Sequence, residues 1–122
     1  MIKLTKQQKE ILKKYPTYSQ DGKGENAEAI LKFFNPAGAG TWYVLDAEPI
    51  HDNPNDYLFF GYVESPLGKD FNEYGYFLLS ELSELKVPMY IKEEDYEHFL
   101  GYGYIEVDKT FTSKKMGQIL EA

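Results

Sequence analysis

Cysteine is absent from this 122-residue chain, which excludes disulfides, thiolate catalysis and cysteine-ligated zinc. A reducing compartment fits that absence, and cytoplasm is the expected location. Arginine is absent too: all 13 basic side chains are Lys. Arginine grips phosphates and guanine edges bidentately, so a chain without it is a poor candidate for a sequence-specific nucleic-acid reader. No apolar run approaches the roughly 20 residues that span a bilayer, so no membrane is expected as a partner. Met1 to Lys14 carries five lysines among Ile2, Leu4, Ile11 and Leu12. It has no continuous apolar core and no small-residue cleavage site, so it does not read as a secretory signal. Only His51 and His98 supply imidazole, and no metal or other cofactor is expected.

What the chain has instead is charge and aromatic rings. Its net charge is -7, and 16% of its residues are aromatic, with 11 Tyr and 8 Phe. The charge is uneven. Residues 1–40 hold seven Lys against four acids, whereas residues 41–108 hold three Lys against fifteen acids. Residues 109–122 return to an excess of Lys, three against one Glu. The acidic middle repels polyanions, which makes direct nucleic-acid binding unfavourable. Its natural complement is a basic protein, although an acidic surface also serves solubility. Self-association stays open.

Thr5-Lys6-Gln7-Gln8 has the spacing of a capping box, in which hydroxyl and amide side chains satisfy each other's backbone donors. The helix it opens carries Leu4, Ile11, Leu12 and Tyr15 as its apolar stripe and stops at Tyr15-Pro16. A polar loop over 16–27 follows. Strands are expected at Glu28–Asn35 and Thr41–Asp46, joined as a hairpin through Asn35-Pro36 and the glycines up to Gly40. Residues 47–56, with Pro49 and Pro54, read as a surface loop. A near-continuous apolar strand, expected to be central, runs from Tyr57 to Glu64. After a turn over 65–72 the next strand begins at Tyr74. On it Tyr76 and Leu78 take one face and Phe77 and Leu79 the other, so it should lie inside the sheet, covered on both sides. Ser80 is placed to cap a short helix through Leu85. A short strand over Met89–Ile91 comes next. Glu93, Glu94 and Asp95 then suit the first turn of a helix that Gly101 would end. A last strand over Tyr102–Val107 and a C-terminal helix capped by Ser113 complete an α+β domain, mainly an antiparallel sheet.

No chemistry-bearing motif survives inspection. Asp52-Asn53-Pro54-Asn55-Asp56 resembles a calcium loop, but Pro54 stands where a ligand is needed and the downstream Gly and Glu are missing. It reads as a turn. Ser80 has no flanking glycines and is not a nucleophile elbow. Asp95 and His98 could share a face without any serine nearby. Gly101-Tyr102-Gly103-Tyr104 lacks the Lys-Ser/Thr of a phosphate loop. The aromatic block is mainly core by its strand spacing, with surplus rings for a groove or interface.

The ordered motifs Lys32-Phe33-Phe34, Pro36, Thr41-Trp42-Tyr43, Phe59-Phe60-Gly61, Gly75-Tyr76-Phe77 and Leu79-Ser80-Glu81-Leu82 resemble the bacterial domain of unknown function 2958 family. Leu4-Thr5-Lys6 is similar to the family's start. The resemblance covers roughly residues 4–97, with the stretch from His98 to Ala122 as an extension of this chain's own. Members continue with a Glu-Arg-Asp segment; Lys92-Glu93-Glu94-Asp95 or Ile105-Glu106-Val107-Asp108 stands for it here, both without Arg. The resemblance implies a small bacterial protein typical of plasmids, phages and other mobile elements, with no catalytic residue to transfer.

Two functional expectations follow. The first is a non-enzymatic interaction protein that meets a basic protein partner through an acidic, Tyr-rich surface, in one version imitating nucleic acid to occupy a host factor's groove. The second is a small-molecule-binding domain or cryptic enzyme with a pocket on the aromatic sheet face. In both, the candidate surface comprises Trp42, Tyr43, Tyr62, Tyr76, Glu64 and Glu73, and the pocket version requires one carboxylate raised by burial.

Overall fold

Thr5 and Gln8 form the capping box that their spacing predicts. The Thr5 Oγ1 accepts the Gln8 N–H at 3.1 Å, and the Gln8 Oε1 accepts the Thr5 N–H at 2.8 Å. Helix α1, Lys6–Lys13, follows and buries Leu12, with Ile11 and Tyr15 packed partly against the core. The computed structural model describes residues 1–121.

Strands β1 (Glu28–Ala29), β2 (Leu31–Phe34), β3 (Thr41–Ile50), β4 (Asn53–Glu64) and β5 (Glu73–Leu78) come next. The main sheet has the order β5-β4-β3-β2-β8, with β8 at Glu106–Val107 and every pairing antiparallel. The β2–β3 hairpin is as expected from the sequence. The expected single strand Glu28–Asn35 divides at Ile30, and β1 pairs separately with β9, Lys114–Lys115.

Residues 47–56 are not a loop. β3 and β4 continue through them as a long hairpin that turns at His51 and Asp52. The partners of this extension lie beyond the rungs that β2 and β5 supply, so its outer edges are largely free. Prolines are tolerated there because a free edge has few ladder bonds to lose. Within the same hairpin, Leu45 is an extra residue: Val44 faces Gly61 while Asp46 faces Phe60. This bulge presses the Tyr43 carbonyl onto Gly61, where any β-carbon would collide with it. Glycine is required at 61 for that reason.

β5 is an edge strand, not an interior one. Phe77 is buried as expected, but Tyr76 on the opposite side is 56% exposed. Helix α2, Leu79–Glu84, begins one residue before the expected cap. Ser80 does not cap it. Its N–H instead donates to the Asp56 Oδ1 at 2.9 Å, which also accepts the Tyr57 N–H at 2.9 Å. The Glu81 carboxylate accepts the Leu78 N–H, so the cap comes from β4 and from the helix's third residue.

The expected helix over Glu93–Gly101 is a hairpin: β6, Lys86–Glu93, pairs with β7, Tyr96–Tyr104. Of the acids that suited a helix start, Glu93 ends β6 while Glu94, at φ 52°, and Asp95 form the turn. β-branched and aromatic residues on both flanks then decide the state. The strand expected at Tyr102–Val107 is shared between β7 and β8. Helix α3, Met116–Glu121, starts after β9 and not at Ser113; the Gln118 side chain accepts the Lys115 N–H at 3.1 Å.

The sheet has two unlike faces. The first carries the main core: Phe33, Trp42, Val44, Phe59, Phe77, Leu79 and Leu82 are buried with Leu12 of α1. The second is covered only in part, by Ala27, Met116 and Ile119 over Leu45, with Tyr43, Phe60, Tyr62 and Phe111 packed partly against them.

Candidate functional site

The uncovered part of the second face carries a ladder of rings whose positions follow from register. Tyr43 pairs with Tyr62, Tyr62 with Tyr74, and Phe60 with Tyr76. Alternation along β4 and β5 sends all of them to the same side. Ring centroids lie 4.9 Å apart for Tyr62 and Tyr74, 5.0 Å for Phe60 and Tyr76, and 6.2 Å for Phe60 and Tyr74. Tilted pairs at this range attract by more than area burial alone. Tyr74 is 44% exposed, and Tyr76 more so. At the other end Tyr43 contacts Phe111 at 6.1 Å and carries the Lys32 ammonium 5.9 Å from its ring centroid.

Carboxylates border the ladder. Burial, then Glu64 and Asp108, push the Tyr43 hydroxyl up to about 12. Burial, then Tyr62 and Glu25, raise Tyr74. Tyr76 is also raised, by partial desolvation and by Tyr18, Asp46 and Asp21 around it. Every one of these phenols is therefore neutral at physiological pH, a hydrogen-bonding group on an apolar ring. Asp108, at the covered end, is lowered: partial burial acts to raise it, and the Thr110 hydroxyl and amide together with Lys32 outweigh that.

Asp46 is 3% exposed. It accepts the Tyr18 N–H at 3.2 Å, and no salt bridge reaches it among the described residues. Burial raises its carboxyl above the ordinary value and the nearby Asp21 carboxylate adds to that, while the Tyr18 bond acts to lower it. The same contact holds Tyr18 at φ 68°, a conformation unfavourable for an aromatic residue. Gln20 completes the arrangement. Its amide donates to the Glu28 and Leu45 carbonyls and accepts the Glu28 N–H, each at 2.6 Å. The loop over 16–23 is thereby fastened to β1 and to the bulge of β3.

Of the six residues singled out from the sequence, Tyr43, Tyr62, Glu64 and Tyr76 come together on this face. Trp42 does not: it is buried in the main core on the opposite face. Glu73 also belongs to the other side, in step with Phe77 on β5 and beside Val63 and the 65–72 turn. The carboxyl that burial raises is that of Asp46. Phe60 and Tyr74 were legible from strand alternation and belong with the four. Asp46 and Tyr18 were not legible, because a bulge and a loop conformation bring them in.

The ladder offers rings, neutral phenols and carboxylates, with no serine or imidazole among them. His98 lies elsewhere, with its Nε2 3.7 Å from the Glu93 carboxylate. No group of three His, Asp or Glu placed to hold a metal occurs among the described residues. A hollow of about 310 Å³ is lined by Met1, Ile2, Lys3, Leu4, Lys9 and Asn55, away from the ladder. No helix among the described residues is long and apolar enough to cross a membrane. No curated protein and no solved structure matches the chain. The model of one family, described as Protein of unknown function (DUF2958), matches residues 3–116, so the chain belongs to that family.

Proposed function

We propose that this protein acts by binding, and that its partner is a positively charged protein which docks on the uncovered half of the second sheet face. One observation carries the reading: Phe60, Tyr62, Tyr74 and Tyr76 form a continuous, partly exposed ring ladder bordered by Asp21, Glu25, Asp46 and Glu64. Rings with polar tips supply contact area at low entropic cost, as binding surfaces require. They also accept ammonium and guanidinium groups on their faces, while the carboxylates draw such groups in. In the version suited to a mobile-element protein, the partner is a bacterial host factor that normally binds nucleic acid, and the carboxylates stand in for phosphates.

The test is affinity capture from a bacterial lysate at low and moderate salt, comparing the native chain with a Tyr74→Ala/Tyr76→Ala variant. A specific basic partner should be retained at low salt, released as salt rises, and lost with the variant. Retention that ignores both salt and the variant would refute the proposal. The mimicry version further requires that DNA compete for the captured partner.

A further inference from the structure

A second surface stands apart from the ladder. β6 and β7 form a two-stranded ribbon that pairs with no other strand among the described residues. Its base is fixed by Val87, which packs against the main core, and by Gly103, which lies so close to the Asn35 amide that a β-carbon there would come within 2.6 Å of it. Beyond the base the ribbon is uncovered. Pairing places Pro88 opposite Tyr102, Lys86 opposite Tyr104 and Tyr90 opposite Phe99. These positions share one face, because the bulge at Leu100 shifts the alternation of β7 by one residue. Tyr90, Phe99, Tyr102 and Tyr104 are each about half exposed, at 56%, 51%, 49% and 57%. Tyr90 and Phe99 lie 5.8 Å apart, and Phe99 and Tyr102 lie 5.1 Å apart edge to face. An isolated hairpin is marginal in water, and a contiguous exposed aromatic face marks an interaction site.

Charge selects the occupant. The end of the ribbon carries Glu93, Glu94, Asp95 and Glu97 against Lys92, all exposed. The same face already holds one cation on a ring, with the Lys86 Nζ 5.8 Å from the Tyr102 centroid. A second copy of the chain would bring like-charged tips and bodies together, each molecule carrying -7. We infer that the β6–β7 ribbon is a second docking element, and that it receives an extended segment of the partner in which lysines or arginines alternate with apolar residues. Apolar side chains on one side of that segment would lie among Tyr90, Phe99 and Tyr102, and the cations on its other side would reach the acidic tip. The inference rests on the function proposed above for the existence of a partner, and the sign of that partner's charge follows here from the ribbon's own acids.

The probe is a synthetic peptide alternating lysine with valine, titrated into the full chain and followed by backbone amide NMR. Lysine–serine and glutamate–valine peptides serve as controls. The lysine–valine peptide should shift the amides of 88–102, and the controls should bind at least about tenfold more weakly. Tyr90→Ser/Phe99→Ser should weaken binding about tenfold or more without altering the amide spectrum of the main sheet. Glu93→Gln/Glu94→Gln/Asp95→Asn should weaken it about tenfold at low salt only. If only the β4 and β5 amides shift, this inference fails and the ladder reading stands. If only the ribbon shifts, the ladder reading fails and the ribbon stands; silence at both sites overturns both. Equal binding of the lysine–serine peptide would overturn the role of the rings. Concentration-dependent dimerisation in sedimentation equilibrium, abolished by Phe99→Ser, would show that the occupant is a second copy and overturn the inference.

Discussion

Replacing Asp56 by alanine tests a helix cap supplied from β4, 24 residues away in sequence. This side chain is 7% exposed, and its Oδ1 serves two amides, that of Tyr57 on its own strand and that of Ser80 in the first turn of α2. Alanine removes a helix cap, worth about 1 kcal/mol. It also leaves a second, buried amide without its acceptor, which adds about 1–2 kcal/mol. Relief from burying a carboxylate offsets part of this, so a net loss of about 2 kcal/mol is expected. For a chain of this size that corresponds to a fall of roughly 6–8 °C in Tm. Asp56→Asn retains the acceptor oxygen and should cost less than about 1 kcal/mol. Ser80→Ala should be nearly neutral, within about 0.5 kcal/mol, since its hydroxyl is not the cap. Urea melts of the three variants at one pH measure the differences directly. If Ser80→Ala cost as much as Asp56→Ala, the cap would be local and the β4-to-α2 bond would have no energetic role.

Gly61→Ala should cost more than about 3 kcal/mol or abolish soluble expression, because the new methyl meets the Tyr43 carbonyl of the bulge; a denaturant melt or the soluble yield decides it. Phe77→Ala should cost about 3–5 kcal/mol, as for other buried Phe truncations, whereas Tyr76→Ala on the same strand's open side should cost under about 1 kcal/mol. Equal losses in parallel melts would mean that β5 is covered on both sides. Asp46 gives a pH prediction. Its folded carboxyl is raised by burial above the ordinary 3.8, so the folded state holds its proton more tightly than the unfolded state does. Its contribution to stability is full below 3.8 and declines as pH rises through the raised folded value. Asp46→Asn keeps an acceptor for Tyr18 and does not titrate, so its stability relative to the native chain should improve from acid to neutral pH. A difference that stays flat or falls over that range would contradict the burial argument.

The parts of this fold legible in the sequence are those in which local chemistry and tertiary structure agree. Thr5 and Gln8 lie three residues apart and satisfy each other, so the capping box needs no distant partner. Phe33, Trp42, Phe59 and Phe77 recur at strand spacing and are buried at the centre of the main core. The segment from Glu93 to Gly101 failed for a specific reason. Acids followed by aromatics satisfy the rule for a helix start and the composition of a hairpin equally well, and pairing with Met89–Ile91 decides between them. Pro49 and Pro54 misled in the same way: they punctuate most strands, but here they lie on a ribbon whose outer edges are largely unpaired. The cap of α2 comes from a residue 24 positions away, which no local pattern can show.

The candidate site divides along the same line. Alternation alone groups Phe60 with Tyr62 on β4 and Tyr74 with Tyr76 on β5, and joining the two pairs needs only the register between those strands. Trp42 and Tyr43 are adjacent in sequence and so lie on opposite faces; grouping them in one surface broke the period-two rule that otherwise located the ladder. Glu73 fails by the same parity. Asp46 reaches the ladder side through the bulge at Leu45, which inserts one residue and reverses the alternation beyond it. The bulge in turn depends on Gly61, and its Leu45 carbonyl is held by Gln20 from a loop that composition marks only as polar. One backbone irregularity thus sets both a packing requirement, glycine at 61, and an electrostatic one, a buried carboxyl beside exposed rings. Gly61→Ala and Asp46→Asn consequently test the same feature from its two sides. The first should remove the bulge with the fold, and the second should leave both in place while removing the titratable group buried beside the rings.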